Sequence, residues 1–132
     1  MASFAHLLLL LLGVASVAAQ NRIQTCIPLG GPMLNACSAE LEYLNQPDQF
    51  PLTSTSPPDD AKVQSVISGL PAGLPSAPCC AAVQKFDTAG CGCESSLSQT
   101  LKAVGIQSEP AGLAGVVKIA GTACKFQPFQ CQ

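Results

Sequence analysis

Eight cysteines constrain the fold of this chain more than any other feature of its sequence. They stand at Cys26, Cys37, Cys79, Cys80, Cys91, Cys93, Cys124 and Cys131. An even number of cysteines in a small protein of an oxidising compartment favours complete pairing, here into four disulfides. Eight cysteines allow about 105 pairings, and spacing alone does not choose among them. If the adjacent Cys79 and Cys80 lie in a helix, their side chains diverge by roughly 100 degrees, so each must bond a different neighbouring element.

The N-terminus predicts secretion. An unbroken apolar run at 7–12 is followed by small residues up to Ala19, a pattern typical of a signal peptide that is cleaved there. The run is too short to span a bilayer, and no later stretch approaches the necessary length. The chain reaches Gln132 without a hydrophobic tail that would direct lipid anchoring. We therefore expect a signal peptide at 1–19, a secreted domain at 20–132 and no membrane span.

The composition argues against several classes of function. His6 is the only histidine and lies in the predicted signal peptide, so the mature chain should lack Ser-His and Cys-His dyads. Cys91 and Cys93 lack the paired spacers and histidine ligands of a zinc site. The net charge of −2 comes from scattered residues and gives no support for nucleic-acid binding. We predict a protein that is not an enzyme, with no catalytic residues, no metal and no cofactor.

The acidic pairs are interpreted as structural. Glu40 and Glu42 fit a solvated helix face, whereas Asp59 and Asp60 fit the start of a helix. Neither pair is assigned a role in general acid-base chemistry.

Hydrophobic periodicity of three and four residues predicts five helices. They lie at about 32–45, from Asp59 or Asp60 to Leu70, from near Ser76 to Phe86 or Asp87, at 97–104 and at 113–124.

Prolines and glycines predict where regular structure fails. Four prolines at 46–59 predict an irregular exposed loop, and the tail at 125–132 is expected to wrap over the helices and to be held by Cys131. Three glycines at 112–121 predict a last helix that is irregular or depends on packing.

The order of the cysteines, with the intervening residues counted, is C, ten, C, forty-one, CC, ten, CxC, thirty, C, six, C. This order resembles the eight-cysteine motif of plant non-specific lipid transfer proteins. That family belongs to a superfamily with seed storage albumins and cereal amylase and trypsin inhibitors. The run Pro75-Ser76-Ala77-Pro78-Cys79-Cys80 is similar to the family's Pro-Ser-x-x-Cys-Cys, and Gly105-Ile106 is similar to a Gly-Ile that often precedes its last helix. The short spacers look like those of type 2 members.

The resemblance implies an all-α fold, a small four-helix bundle stapled by disulfides. It implies pairing of Cys37 with Cys79 and of Cys80 with Cys124. In the type 2 arrangement Cys26 bonds Cys91 and Cys93 bonds Cys131, and the type 1 arrangement exchanges Cys91 and Cys93.

One segment departs from the family pattern, since the gap between the second and third cysteines is longer than the family usually shows. We interpret 46–75 as an insertion, an exposed loop with one short helix. It either covers a cavity mouth, serves a partner, or is a tolerated surface insertion.

By the same resemblance we expect an extracellular monomer, in the apoplast or cell wall, that binds fatty acids or phospholipids and touches membranes transiently. The candidate lining residues of its apolar cavity are Leu34, Leu41, Leu44, Val83, Phe86, Leu97, Leu101, Val104, Ile106, Leu113, Val116, Val117, Ile119 and Phe126, together with Phe129. Each of them also fits an ordinary core position, because periodicity marks a buried face and not a hollow one. The candidates for holding a polar head group are Tyr43, Lys85, Lys102 and Lys125, which also fit a solvated surface.

Two alternatives of other classes share the same bundle. A hydrolase inhibitor would need an exposed loop, for which 46–58 is the candidate. A structural or storage protein of the wall or seed is disfavoured by the absence of glutamine- and arginine-rich blocks.

Overall fold

The computed structural model describes residues 22–131, and the predicted signal peptide at 1–19 lies outside the described residues. The first helix, α1, covers 22–36 of them. It is followed by α2 (Ser38–Leu44), α3 (Asp60–Ser68), α4 (Ala77–Thr88), a 3-10 turn (Cys91–Cys93), α5 (Ser95–Ala103) and α6 (Pro110–Ala123). No strand occurs within 22–131, so the predicted all-α, disulfide-stapled bundle is confirmed.

Four disulfides join the helices and the tail. They are Cys26–Cys91, Cys37–Cys79, Cys80–Cys124 and Cys93–Cys131, which is the type 2 arrangement that the resemblance implies. The adjacent Cys79 and Cys80 bond different elements, as expected for neighbours on a helix. Across the four disulfides, the paired cysteines lie 38 to 65 residues apart along the chain, so each bond is expected to stabilise the fold by about 4 kcal/mol in the loop-entropy model.

The first helix begins earlier than the sequence predicts. We expected one helix at 32–45, but the chain is helical at 22–36, and α2 follows after a turn at Cys37. Two prolines and two glycines at 28–32 disfavour a helix by intrinsic propensity. Tertiary contacts override that preference, because the buried Cys26 and Cys37 tie both ends of α1 to the rest of the fold.

The predicted starts of α3 and α4 are confirmed. The Asp59 carboxylate accepts a hydrogen bond from the Lys62 backbone N–H at 2.7 Å, and the Ser76 hydroxyl oxygen accepts one from the Cys79 N–H at 3.3 Å. Both contacts satisfy N–H groups that a helix start leaves without a partner. Pro78 lies in the first turn of α4, where its missing N–H is not needed.

The insertion is irregular with one short helix, as predicted, and much of its loop is exposed, but several of its apolar residues are not. Phe50 and Leu52 are buried in the core, and Pro58 is also buried. Val63 and Val66 of α3 are buried as well. The apolar residues of the insertion therefore belong to the core, because they are covered by α6.

The glycines of α6 make this contact. A side chain at Gly112 would collide with the backbone of Leu52, and one at Gly115 would collide with the Phe50 ring. The Leu52 carbonyl also accepts a hydrogen bond from the Glu109 N–H at 2.8 Å. Since α6 is a regular helix of 14 residues and its glycines are closely packed, the second of the two predicted alternatives, dependence on packing, holds.

The irregular tail packs on the other end of α6. Phe126 lies against Gly121, and the Phe129 N–H donates a hydrogen bond to the buried Asp87 carboxylate at 2.8 Å. The disulfide of Cys131 holds the end of the segment, so the tail wraps over the bundle as predicted.

The position of Glu40 corrects the expectation of a solvated helix face. Glu40 is only 8% exposed, and its carboxylate accepts a hydrogen bond from the Ser76 N–H at 2.7 Å. Glu42 is exposed as predicted. Glu40 therefore connects α2 to the segment that precedes α4.

Candidate functional site

An apolar cavity of about 250 Å³ lies among the helices and is here called the large cavity, in contrast to a smaller one beside it. Parts of α1, α2, α4, α5 and α6, the segment after α5 and the insertion form its walls. Its lining residues are Cys26, Ile27, Gly30, Gly31, Met33, Leu34, Leu41, Leu52, Phe86, Leu97, Thr100, Leu101, Val104, Ile106, Leu113 and Val116.

The walls of the large cavity are apolar. Thr100 contributes the one hydroxyl side chain among its lining residues, and that hydroxyl donates to the Ser96 carbonyl at 3.3 Å within α5. The thiol of Cys26 is consumed in a disulfide. The walls therefore offer hydrocarbon contacts and no charged side chain to a ligand.

The large cavity opens between α1 and the end of α5. Ile27 is 50% exposed and Val104 is 70% exposed, although both line the cavity. Phe86 of α4 and Leu113 of α6 also line the cavity and are almost fully buried. The site thus has an apolar rim at the surface and an apolar wall in the core.

Two glycines of α1 leave space beside the helix. A Cβ built at Gly30 or at Gly31 would meet no atom within 4 Å. Side chains of ordinary size on this face would occupy part of the large cavity, so the local sequence of α1 contributes directly to the hollow.

A small cavity of about 40 Å³ lies next to the large one. Met33, Leu41 and Val116 border both and stand between them. The other lining residues of the small cavity are Cys37, Glu40, Leu44, Leu70, Pro75, Cys79, Val83, Val117, Ile119, Ala120 and Ala123. Its volume corresponds to about three water-sized spheres, so this region is close to filled.

All of the lining residues predicted from sequence border one of the two cavities, except Phe126 and Phe129. The large cavity has Leu34, Leu41, Phe86, Leu97, Leu101, Val104, Ile106, Leu113 and Val116. The small cavity has Leu41, Leu44, Val83, Val116, Val117 and Ile119. Phe126 instead packs on Gly121, and Phe129 lies in the tail and is 45% exposed.

Other lining residues were not predicted from the sequence. Gly30 and Gly31 carry no hydrophobic signal, and Leu52 and Leu70 lie in the segment interpreted as an insertion. Met33 could have been found, because it follows the buried Cys26 by two helical turns.

The residues proposed to hold a polar head group do not line either cavity. Tyr43 is only 8% exposed, and its hydroxyl donates to the Val66 carbonyl at 3.1 Å, which joins α2 to α3. The Lys102 ammonium pairs with Glu109 at 2.7 Å, and Lys85 and Lys125 are exposed. The expectation that Tyr43 holds a polar head group is therefore wrong, because Tyr43 does not lie at the cavity mouth.

Within 22–131, one group of side chains has the spacing of a metal site. A sulfur of Cys37, a sulfur of Cys79 and a carboxylate oxygen of Glu40 lie within 4.8 Å of one another. The two sulfurs form a disulfide with each other, so they are not thiolate ligands, and the Glu40 carboxylate already binds the Ser76 N–H.

Comparisons with protein-family models, with curated proteins and with solved structures gave no significant match. Within 22–131, none of the helices has both the length and the apolar character needed to cross a bilayer. The function is therefore inferred from the cavity walls and the disulfide framework.

Proposed function

We propose that this protein is a secreted, monomeric carrier that holds an acyl chain of a fatty acid or phospholipid in the large cavity. The observation that carries this proposal is an apolar cavity of about 250 Å³ that opens to the surface at Ile27 and Val104. Four disulfides are consistent with an oxidising, extracellular environment. The proposed role of the cavity is to bind the acyl chain, and it includes no catalytic step.

The volume of the large cavity suits one chain better than a whole lipid. Pockets that enclose drug-sized ligands occupy roughly 300 to 1,000 Å³, so we expect the polar head group to remain in water at the mouth. Each methylene that leaves water contributes about 0.8 kcal/mol. About ten of them give a gross gain near 8 kcal/mol, part of which is offset by the lost freedom of the chain.

The rim suits brief contact with a lipid surface. Ile27 and Val104 expose apolar area at the mouth. An acyl chain that leaves a bilayer can pass along this area and avoids crossing water. This contact shortens the aqueous path of the chain and requires no membrane span.

The proposal is tested by displacement of a fluorescent fatty-acid probe from the oxidised mature protein by unlabelled fatty acid. We expect saturable binding that is lost on reduction, because the cavity depends on walls that the disulfides hold together. Val104→Asp should weaken binding tenfold or more by placing a charge at the apolar rim. The neighbouring Ala103→Asp is the matched control, since Ala103 is exposed and does not line the cavity.

Absence of saturable binding to the intact protein would reject the carrier function. The hydrolase-inhibitor alternative would then be tested by inhibition of amylase and trypsin. A folded protein that neither binds lipid nor inhibits would favour a structural role.

A further inference from the structure

Four consecutive hydroxyl side chains occupy the insertion at Thr53, Ser54, Thr55 and Ser56, directly before two prolines. Thr53, Thr55 and Ser56 are exposed, and the run lies outside every helix of the described chain. These residues line neither the large nor the small cavity. The lipid-carrier function therefore leaves this run without a role.

The hydroxyl groups of 53–56 have no hydrogen-bond partner within the described residues, and the backbone provides the turn instead, since the Ser54 N–H donates to the Pro51 carbonyl at 3.1 Å. Several hydroxyls elsewhere donate to backbone carbonyls, namely those of Ser68, Ser98, Thr100, Ser108 and Thr122. The contrast shows that the hydroxyls of this loop do not support the fold.

The loop projects from anchored ends. Leu52 precedes the run and is buried, and Pro58 follows it and is buried. A hollow of about 550 Å³, open to solvent, borders the exposed hydroxyls. A bulky group attached here would occupy solvent and would not disturb the core.

We propose that Thr53, Thr55 and Ser56 are acceptor sites for O-linked sugars. Serine- and threonine-rich segments with proline carry O-linked glycans in secreted proteins, and an irregular exposed backbone with unpartnered hydroxyls is accessible to a transferase. The inference rests on the secretion part of the proposed function and is independent of lipid binding.

The donor class is a nucleotide sugar. The hydroxyl oxygen of Thr or Ser forms a bond to the anomeric carbon of the sugar. The bond from that carbon to the phosphate oxygen breaks, the nucleotide leaves with the electron pair, and the hydroxyl proton passes to a base of the transferase. No oxidant or reductant is needed.

To test this proposal, the full chain with its N-terminal segment is expressed in secreting plant cells. The intact mass of the protein from the medium is then measured. We expect masses above that of the polypeptide by whole sugar units, with fragments that place the sugars at 53–56. The triple variant T53A/T55A/S56A should lose the increments.

The matched control is the triple variant S38A/S65A/S95A, which removes three exposed hydroxyls that lie on helices. It should keep the sugar increments. Secreted wild-type protein at the bare polypeptide mass would overturn the proposal. So would sugars that persist in the loop variant, sugars attached to Pro57 or Pro58, or retention of the chain inside the cell. Probe binding measured on the same samples reports separately on the lipid-carrier function.

Discussion

Two helices of this protein carry glycines with opposite surroundings. In α1, Gly30 and Gly31 face open space at the large cavity. In α6, Gly112 and Gly115 lie against the backbone of Leu52 and the ring of Phe50. The same residue type therefore leaves a hollow in one helix and admits a packed segment in the other.

The difference lies in what covers each glycine. The insertion lies on α6 and is bonded there through the Leu52 carbonyl and the Glu109 N–H. No segment of the described chain fills the space beside α1. The insertion covers α6 and leaves α1 uncovered. One small domain therefore has a packed core surface at α6 and an open cavity at α1.

The largest effect on stability is expected for Gly112→Ala. The added methyl would meet the Leu52 carbonyl, and backbone atoms cannot rotate away as a side-chain end can. We expect the free energy of unfolding to fall by about 1–3 kcal/mol, as measured in urea with the disulfides intact. An unchanged unfolding midpoint would show that the insertion is not packed on α6.

The next largest effect is expected on probe affinity, from a substitution that fills the large cavity. Gly30→Leu should fill part of the large cavity, lower probe affinity tenfold or more, and change unfolding stability by less than about 1 kcal/mol. Ala81→Leu is the matched control, because Ala81 is exposed on α4 and lines neither cavity. Equal affinity in both variants would mean that the ligand does not lie beside α1.

A smaller effect of opposite sign is expected for Gly31→Ala. The helix gains a residue of better propensity and the methyl meets no atom, so the free energy of unfolding should rise by about 0.4–1 kcal/mol. Thermal and urea unfolding would measure it. Destabilisation comparable to that of Gly112→Ala would remove the contrast between the two helices.

The smallest effect is expected for Lys118→Met. The Lys118 ammonium of α6 pairs with the Asp60 carboxylate of α3 at 3.0 Å, but the Asp60 side chain is 94% exposed. Exposed ion pairs contribute little, so we expect a change below about 0.5 kcal/mol in urea unfolding. A loss of more than 1 kcal/mol would show that charge, and not packing on the glycines, holds the insertion.

Much of the fold follows from local signals in the sequence. The adjacent Cys79 and Cys80 require two different partners, and Asp59 and Ser76 begin helices because their side chains accept hydrogen bonds from the first turn. These features depend on chemistry within a few residues, and the structure reproduces them.

Long-range packing explains what the sequence did not reveal. The prolines and glycines of α1 argue against a helix until the disulfides at its two ends are considered. The burial of Leu52 depends on a partner in α6 that is far away along the chain. Leu44 and Leu101 show the same periodicity, yet one borders a nearly filled region and the other an open cavity.

The most direct measurement is methyl-resolved NMR of the oxidised protein during titration with a long-chain saturated fatty acid. We expect saturable shifts at the methyl groups of Ile27, Leu101 and Leu113, which line the large cavity. Val63 and Val66 should remain unshifted, since they are buried but line neither cavity. Shifts confined to other surfaces, or no saturable shifts, would contradict an acyl chain held in the large cavity.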